Sequence, residues 1–302
     1  MRELMKAGLL RKKAILTNVD NVCGVGIAQK LAEAQYDLVL TYSSEESKEK
    51  LVGLVNRLKE ENGIECFLIK ADFSKKDTAI DLIAKAVDKL GGLNLLCNNP
   101  SPFSGGELED IVDEELDVLL TSEMRSWIVL MREAARVIFK NETKGSIINI
   151  STIRSEKALP GSGLYCGFTA GLNHLTRVFA VEMGVYGVRM NTVEVGFIKA
   201  SDDELRAKGI SEEMLKSMER EGKKVALQRA GTPEEVGDMV VFLASDKASY
   251  VTGACVPVDG GLSLAGTPTD FGPITDVCTR SWGAFYPKHL DEVDKDNKEL
   301  LV

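Results

Sequence analysis

Histidine is the scarcest reactive side chain here, since the 302-residue chain holds only His174 and His289. A histidine-rich metal centre has too few ligands, and no metal is expected. Paired cysteines are missing too. Cys23, Cys66, Cys97, Cys166, Cys255 and Cys278 contain no CxxC, and several sit in apolar, strand-like runs, so buried free thiols are expected rather than disulfides. No stretch approaches the ~20 apolar residues of a membrane span. The opening MRELMKAGLLRKKAIL has too short an apolar run for a secretory leader. Nor is there an excess of positive charge. The 37 Lys and Arg against 46 Asp and Glu give a net charge of -9, which disfavours a nucleic-acid backbone or an anionic membrane as partner. These absences leave a cytoplasmic protein with a small-molecule substrate as the expectation.

What the chain does have is a regular alternation of short β-rich runs and longer helical ones. KAILT (13–17), YDLVLTY (36–42), CFLIKA (66–71), LNLLCN (93–98), GSIINIS (145–151) and VRMNTVEV (188–195) read as strands, with a seventh near Ala254–Val258. Helical periodicity fills 24–35, 45–62, 75–90, 112–140 and 162–184. Each helix must carry the chain to a parallel neighbouring strand. The alternation therefore implies an α/β fold, a Rossmann-like doubly wound parallel sheet of seven strands with helices on both faces, in three layers. A single domain is expected over 1–263, with the charged stretch 201–224 as a lid-like insertion. An extension over 264–302 follows, carrying Trp282, Phe285 and Tyr286. Such sheets bind ligands just past the carboxyl ends of their strands, where the strand order reverses.

Past the first strand stands Thr17-Asn18-Val19-Asp20-Asn21-Val22-Cys23-Gly24. A phosphate-binding turn here needs glycine wherever backbone must approach a pyrophosphate. Asn18 tolerates positive φ. Val22 brings a β-branched side chain to a place that wants bare backbone, and Asp20 adds negative charge. Past the second strand, TYSSEES (41–47) offers hydroxyls and no acid at its start. Asp72, Asn98, Ser43 and Ser44 also have a purely structural reading as caps or strand ties.

The run from Thr152 to Arg177, TIRSEKALPGSGLYCGFTAGLNHLTR, and the later ALQRAGTPEEVGDMVVFLASDKASYVTGACVPVDGG (226–261) resemble the short-chain dehydrogenases/reductases; with the strand order, the resemblance covers roughly residues 12–262. It implies that Tyr165 exchanges a proton at a carbonyl while a nicotinamide moves a hydride, with Thr152 in the place of a serine that polarises the substrate oxygen. The family's lysine, which lowers the tyrosine's pKa and holds the nicotinamide ribose, is replaced by Thr169, and its asparagine position falls near Glu123 or Met124. A phenol near pKa 10 is a poor base without a close cation, so Arg154 and Arg125 are candidates to replace the lysine. The resemblance further implies cofactor contacts from Thr17, Asn18, Cys23, Gly24, Ser43, Ser44, Asp72, Phe73, Asn98, Pro100, Thr169, Gly196 and Ile198. The hydroxyls of 41–47 suit the 2′-phosphate of NADP(H).

Three readings stay open at this point. One is an NADP(H)-dependent carbonyl or enone reductase with a non-standard proton donor. Another is a cofactor-independent enzyme, a dehalogenase, cyclase or lyase, because TNVxxxxGxG resembles the turn of halohydrin dehalogenases. The last is a non-catalytic relative that binds a ligand or a partner subunit. Cys166 reads as a small apolar filler, and His174, nine residues past Tyr165, lies ~13 Å along the helix from it. Helices 112–140 and 162–184 resemble those through which family members form dimers and tetramers, so a homo-oligomer is expected. Val129, Leu130, Leu172 and Phe179 serve either core or interface.

Overall fold

The computed structural model describes residues 11–101, 108–140, 144–157 and 162–264. Seven parallel strands run through them: β1 Lys12–Leu16, β2 Tyr36–Tyr42, β3 Cys66–Lys70, β4 Leu95–Asn98, β5 Gly145–Thr152, β6 Val188–Val195 and β7 Cys255–Val258. Their spatial order is β3-β2-β1-β4-β5-β6-β7, with every ladder parallel. The helices are α1 Val22–Glu33, α2 Glu45–Asn62, α3 Thr78–Leu90, α4 Asp113–Leu119, α5 Ser126–Lys140, α6 Gly163–Gly184, α7 Asp202–Ala207, α8 Glu212–Gly222 and α9 Pro233–Ala244.

The inner strands are apolar on both faces because both faces are covered. Alternate residues divide between two cores. Ala14, Leu16, Leu38 and Leu40 pack under α1, α2 and α9 with Ile27, Leu31, Leu58, Val236 and Val240. Ile15, Val39 and Leu96 pack on the opposite face under α3, α5 and α6 with Leu82, Leu130, Ile138 and Leu172. Val129, Leu130 and Leu172 thus belong to the core, and Phe179 packs partly against it. The sheet order reverses between β1 and β4, where the helices that follow leave on opposite faces and open a crevice.

Three stretches differ from the sequence-based expectation. Helix 112–140 is not uniform, because Leu120–Arg125 between α4 and α5 winds as a π-turn. Ser126 Oγ donates to the Ser122 carbonyl and Ser122 Oγ to that of Val118, so serine hydroxyls occupy acceptors in a ladder that one wide turn disturbs. Stretch 201–224 forms the two short helices α7 and α8, with Leu215 its buried anchor. The expected extension beyond residue 264 lies outside the described residues.

Candidate active site

The turn from β1 into α1 is stiffened by amides instead of loosened by glycines. Asn18 takes a left-handed conformation at φ 47°, which asparagine tolerates better than most non-glycine residues. Its backbone N–H donates to Thr41 Oγ1 at 2.9 Å, and its side chain donates to the Asn99 carbonyl at 2.8 Å and to Ser101 Oγ at 3.3 Å. Thr17 Oγ1 donates to the same carbonyl and accepts from the Asn99 amide. In return Asn99 Nδ2 donates to the Asn18 carbonyl and to Asn21 Oδ1. Asn21 is the N-cap of α1, accepting from the Gly24 amide at 2.8 Å while its Nδ2 donates to the Pro100 carbonyl. Gly24 could not carry a side chain, since a Cβ there would lie 2.7 Å from the Val19 backbone.

Asp20 lies apart from this lacing. Its carboxylate accepts from both the amide and the hydroxyl of Ser43, at 3.4 and 3.0 Å, which places an acid at the exit of β2 that the β2 sequence itself does not supply. Ser44 is the N-cap of α2, accepting from the Ser47 amide. Asp72 accepts from the Ser74 amide and hydroxyl. Those bonds, the hydroxyl's first, hold its carboxyl below the ordinary value and keep it ionised.

Asn98 points into the sheet. Its Nδ2 donates to Asn149 Oδ1 on β5 at 2.8 Å, and Asn149 passes the chain on to Thr176 Oγ1 on α6. Asn98 Nδ2 ties two strands, while its Oδ1 is buried without a partner among the described residues. Gly196 brings the end of β6 hard against that of β7, where a Cβ would lie 2.6 Å from Asp259. Ile198 forms a bridge to Gly231 below α9.

Tyr165 sits in the first turns of α6, and Glu123, Arg154, Cys23 and Cys166 all lie close enough to act on its phenol. Burial, followed by the negative charge of Glu123, pushes that phenol above its ordinary value of 10.0, with Arg154 pulling the other way. Thr169 is no substitute for a lysine. It is buried, and its hydroxyl bonds the carbonyls of Tyr165 and Cys166 on its own helix, so no hydroxyl hydrogen remains for a ribose. Thr152 Oγ1 accepts from the Arg154 amide at 3.3 Å. The Arg154 turn is fastened below by Ser155 Oγ, which donates to Glu194 Oε1 at 2.8 Å, and by Asn173 Nδ2, which bonds both groups. Arg125 is engaged elsewhere, donating to the Lys76 carbonyl at 2.6 Å. His174 is exposed. Burial raises the Cys23 thiol to about 11, so it stays protonated.

Glu123, on the π-turn, is only 3% exposed. Its Oε1 accepts from the Ser101 amide at 3.0 Å, and its Oε2 is buried with no partner among the described residues. Burial pushes its carboxyl up to about 7, against smaller opposing effects of Ser101 and Trp127. It lines a cavity of about 450 Å³ together with Asn18, Ser43, Phe73, Ser101 and Leu119. Asp72, Glu114 and Glu115 add further carboxylates to the wall, which has no lysine or arginine. Among the described residues no cluster of metal-ligating side chains occurs, and no helix is long and apolar enough to cross a membrane.

Fold and site together define a doubly wound α/β protein with a cavity at the carboxyl ends of its strands. Residues 20–263 match the family model described as "Enoyl-(Acyl carrier protein) reductase". Among curated relatives, the 3-oxoacyl-acyl-carrier-protein reductase FabG of Rickettsia felis is 32% identical over 258 residues, covering 85% of this chain and 98% of that one. Acetoin dehydrogenase from Enterobacter cloacae superposes with a TM-score of 0.76 at 26% identity, covering 87% and 99% of the two chains. A blue fluorescent protein from a metagenomic library, solved in complex with NADPH, gives 0.73 at 27% identity, covering 84% and 98%. The chain belongs to the short-chain dehydrogenase/reductase superfamily, a family of oxidoreductases.

The crevice can be tested against the dinucleotide that this family implies. Of the first-turn amides of α1, that of Gly24 is capped by Asn21, while those of Val22 and Cys23 precede any intrahelical acceptor and remain suited to an anion. At the β2 exit the Asp20 carboxylate on Ser43 suits a ribose hydroxyl and repels a phosphate. The start of α1 and the β2 exit fit a dinucleotide. Sequence reasoning did not bring Asp20 to Ser43, because it looked for an acid only at the start of 41–47. It also left Glu123, Asn21, Asn99 and Ser101 out of the site, although the acid at the asparagine position was a readable signal.

Proposed function

We propose that this chain is an NAD(H)-dependent reductase of small carbonyl or enone compounds in which Tyr165 serves as a neutral proton donor. The observation that carries this reading is position 169, where Thr169 binds the carbonyls of its own helix and supplies no cation to favour a phenolate. An alcohol oxidation needs phenolate as base, which burial further disfavours, whereas the O–H that a reduction needs as acid is present. The dinucleotide, when bound, supplies hydride. Asp20 with Ser43 would hold its adenosine ribose, Asp72 and Phe73 would flank the adenine, and the start of α1 would face the pyrophosphate. Thr152 would hold the substrate oxygen through its own O–H, since its lone pair already takes the Arg154 amide. Arg154 would steady negative charge developing on that oxygen.

This reading favours NAD(H) over the NADP(H) expected from the hydroxyls of 41–47, because Asp20 already takes the hydroxyl of Ser43. We further take the chain to be a homo-oligomer. Val178, Val181, Val185, Phe139 and Tyr186 leave α5 and α6 with exposed apolar side chains, and Phe139 and Tyr186 stack edge-to-face at 4.6 Å.

The test is a calorimetric titration with NADH and NADPH, repeated on Asp20→Ser, together with turnover of a carbonyl panel by Tyr165→Phe. Tighter NADH binding, a gain of NADPH affinity in Asp20→Ser and loss of turnover in Tyr165→Phe are expected. Failure of both dinucleotides to bind would leave the cofactor-independent reading, which the Asn21 cap on α1 favours.

A further inference from the structure

A second carboxylate lies in the interior with no part in the chemistry described so far. Glu194 on β6 is only 5% exposed. It shares the face of Val188 and Met190, which pack under α6. Strands of a parallel sheet covered on both faces are normally apolar there, and a carboxylate is seldom buried unless something holds it. Two side chains do. Ser155 Oγ donates to Glu194 Oε1 at 2.8 Å, and Asn173 Nδ2 donates to the same oxygen at 2.7 Å. Asn173 Nδ2 also donates to Ser155 Oγ at 3.1 Å. The three groups close a triangle that joins β6, α6 and the turn after β5. Asn173 is itself buried, and its Oδ1 has no partner among the described residues, so the cost of burying this amide is offset through its Nδ2 alone.

What the triangle fastens is the turn that carries Arg154. Thr152 closes β5 and is placed by its pairing with Val195 on β6, whereas Arg154 stands past the ladder, in the short 3-10 turn Ile153–Ser155. So short a turn has few bonds of its own. One runs from the Arg154 amide to Thr152 Oγ1 and another from the Glu156 amide to the Ile153 carbonyl, both at 3.3 Å. The shorter bonds that fix it come from outside, at Ser155. Asn173 stands eight residues past Tyr165 on α6, about two turns along, so the helix that carries the phenol also carries one corner of the triangle.

We propose that Glu194 is a positioning residue that acts through Ser155 to hold Arg154 at the crevice, with Asn173 fixing the direction of the bond. The inference rests on the reductase reading above, in which Arg154 steadies charge on the substrate oxygen. A carboxylate suits the post because it only accepts and can take both donors at one atom. An apolar residue at 194 would leave the Ser155 hydroxyl and the Asn173 amide facing the interior without an acceptor. Misplacing a reacting group by about 1 Å can cost about a hundredfold in rate, so the effect belongs in kcat and leaves dinucleotide affinity alone.

The experiment pairs a cofactor-free measurement with a kinetic one. Hydrogen exchange over residues 152–157 is followed by mass spectrometry in wild type, Ser155→Ala, Glu194→Ala and Glu194→Gln. Exchange should quicken in the two alanine variants and stay near wild type in Glu194→Gln, which keeps an acceptor oxygen. Unchanged exchange in Ser155→Ala, which leaves the Glu194–Asn173 bond intact and so guards against misfolding of Glu194→Ala, overturns the proposal. Carbonyl reduction at saturating NADH should fall about tenfold or more in kcat for Ser155→Ala, with NADH affinity within about twofold of wild type. Glu194→Gln should stay within about threefold of wild type in kcat, as rescue by an acceptor requires. In an Arg154→Ala background the further change Ser155→Ala should cost less than about twofold, since a residue that acts through another loses its effect with it. Equal losses with and without Arg154 refute the positioning role. Absence of NADH binding in wild type would instead remove the reductase reading, with the exchange result still deciding whether the triangle holds the turn.

Discussion

Replacing Glu123 with glutamine keeps the shape and the acceptor that holds the Ser101 amide while deleting a titration. In the folded protein this carboxyl is lifted from 4.5 to about 7 by burial, so between those values the folded chain binds a proton that the unfolded chain has released. Stability must therefore fall as pH rises through this window, the reverse of the ordinary carboxylate pattern, and the penalty is complete above the folded pKa. At ~1.4 kcal/mol per pKa unit, the penalty amounts to about 3 kcal/mol. Glutamine resembles the protonated acid at every pH and escapes it. Urea unfolding followed by circular dichroism at pH 5 and pH 8.5 measures the difference directly. The variant's advantage should be under about 1 kcal/mol at pH 5 and about 3 kcal/mol at pH 8.5. Other shifted acids, such as Asp72 and Glu235, are present in both proteins and cancel. Parallel curves across the range would refute the argument, because a carboxyl that ionises freely in the fold has no penalty to lose.

Three further predictions follow from the same geometry. Asn21→Ala removes the α1 cap along with the ties to Asn99 and Pro100, and urea unfolding should record a loss of about 1–2 kcal/mol. Asn149→Ala leaves the Asn98 amide without its acceptor, and the same measurement should show a loss of at least about 2 kcal/mol for a severed buried network. Thr169→Lys sets a cation four residues from Tyr165. It should lower the phenol's titration in tyrosinate absorbance and raise alcohol oxidation relative to reduction, and a midpoint that does not move would show that the lysine points elsewhere.

The architecture was legible because strand and helix periods are strong and regular. The seven β-rich runs fall on the seven strands, with ends displaced by a few residues where loop chemistry decides. Asn98 was ambiguous for a physical reason. An asparagine at a strand end has the same appearance in sequence whether it meets a ligand or a neighbouring strand, and the partner of its Nδ2, Asn149, lies 51 residues away. Position 165 and the loss at 169 could be read from spacing along one helix. What spacing along the chain could not show was juxtaposition across it, namely Asp20 meeting Ser43 and Glu123 meeting Ser101. The π-turn was equally hidden, since its cause lies in hydroxyl–carbonyl bonds rather than in apolar periodicity.

The amide lacing between the first turn and the β4 exit bears on how this chain could change. Asn18, Asn21, Asn99 and Ser101 bond one another, so a mutation to any one of them alters the value of the others. Glycine at position 18 alone would take one of two donors from the Asn99 carbonyl and the Asn18 side-chain amide from the Ser101 hydroxyl. Exchanging this turn for a glycine-rich one therefore requires several positions to change together.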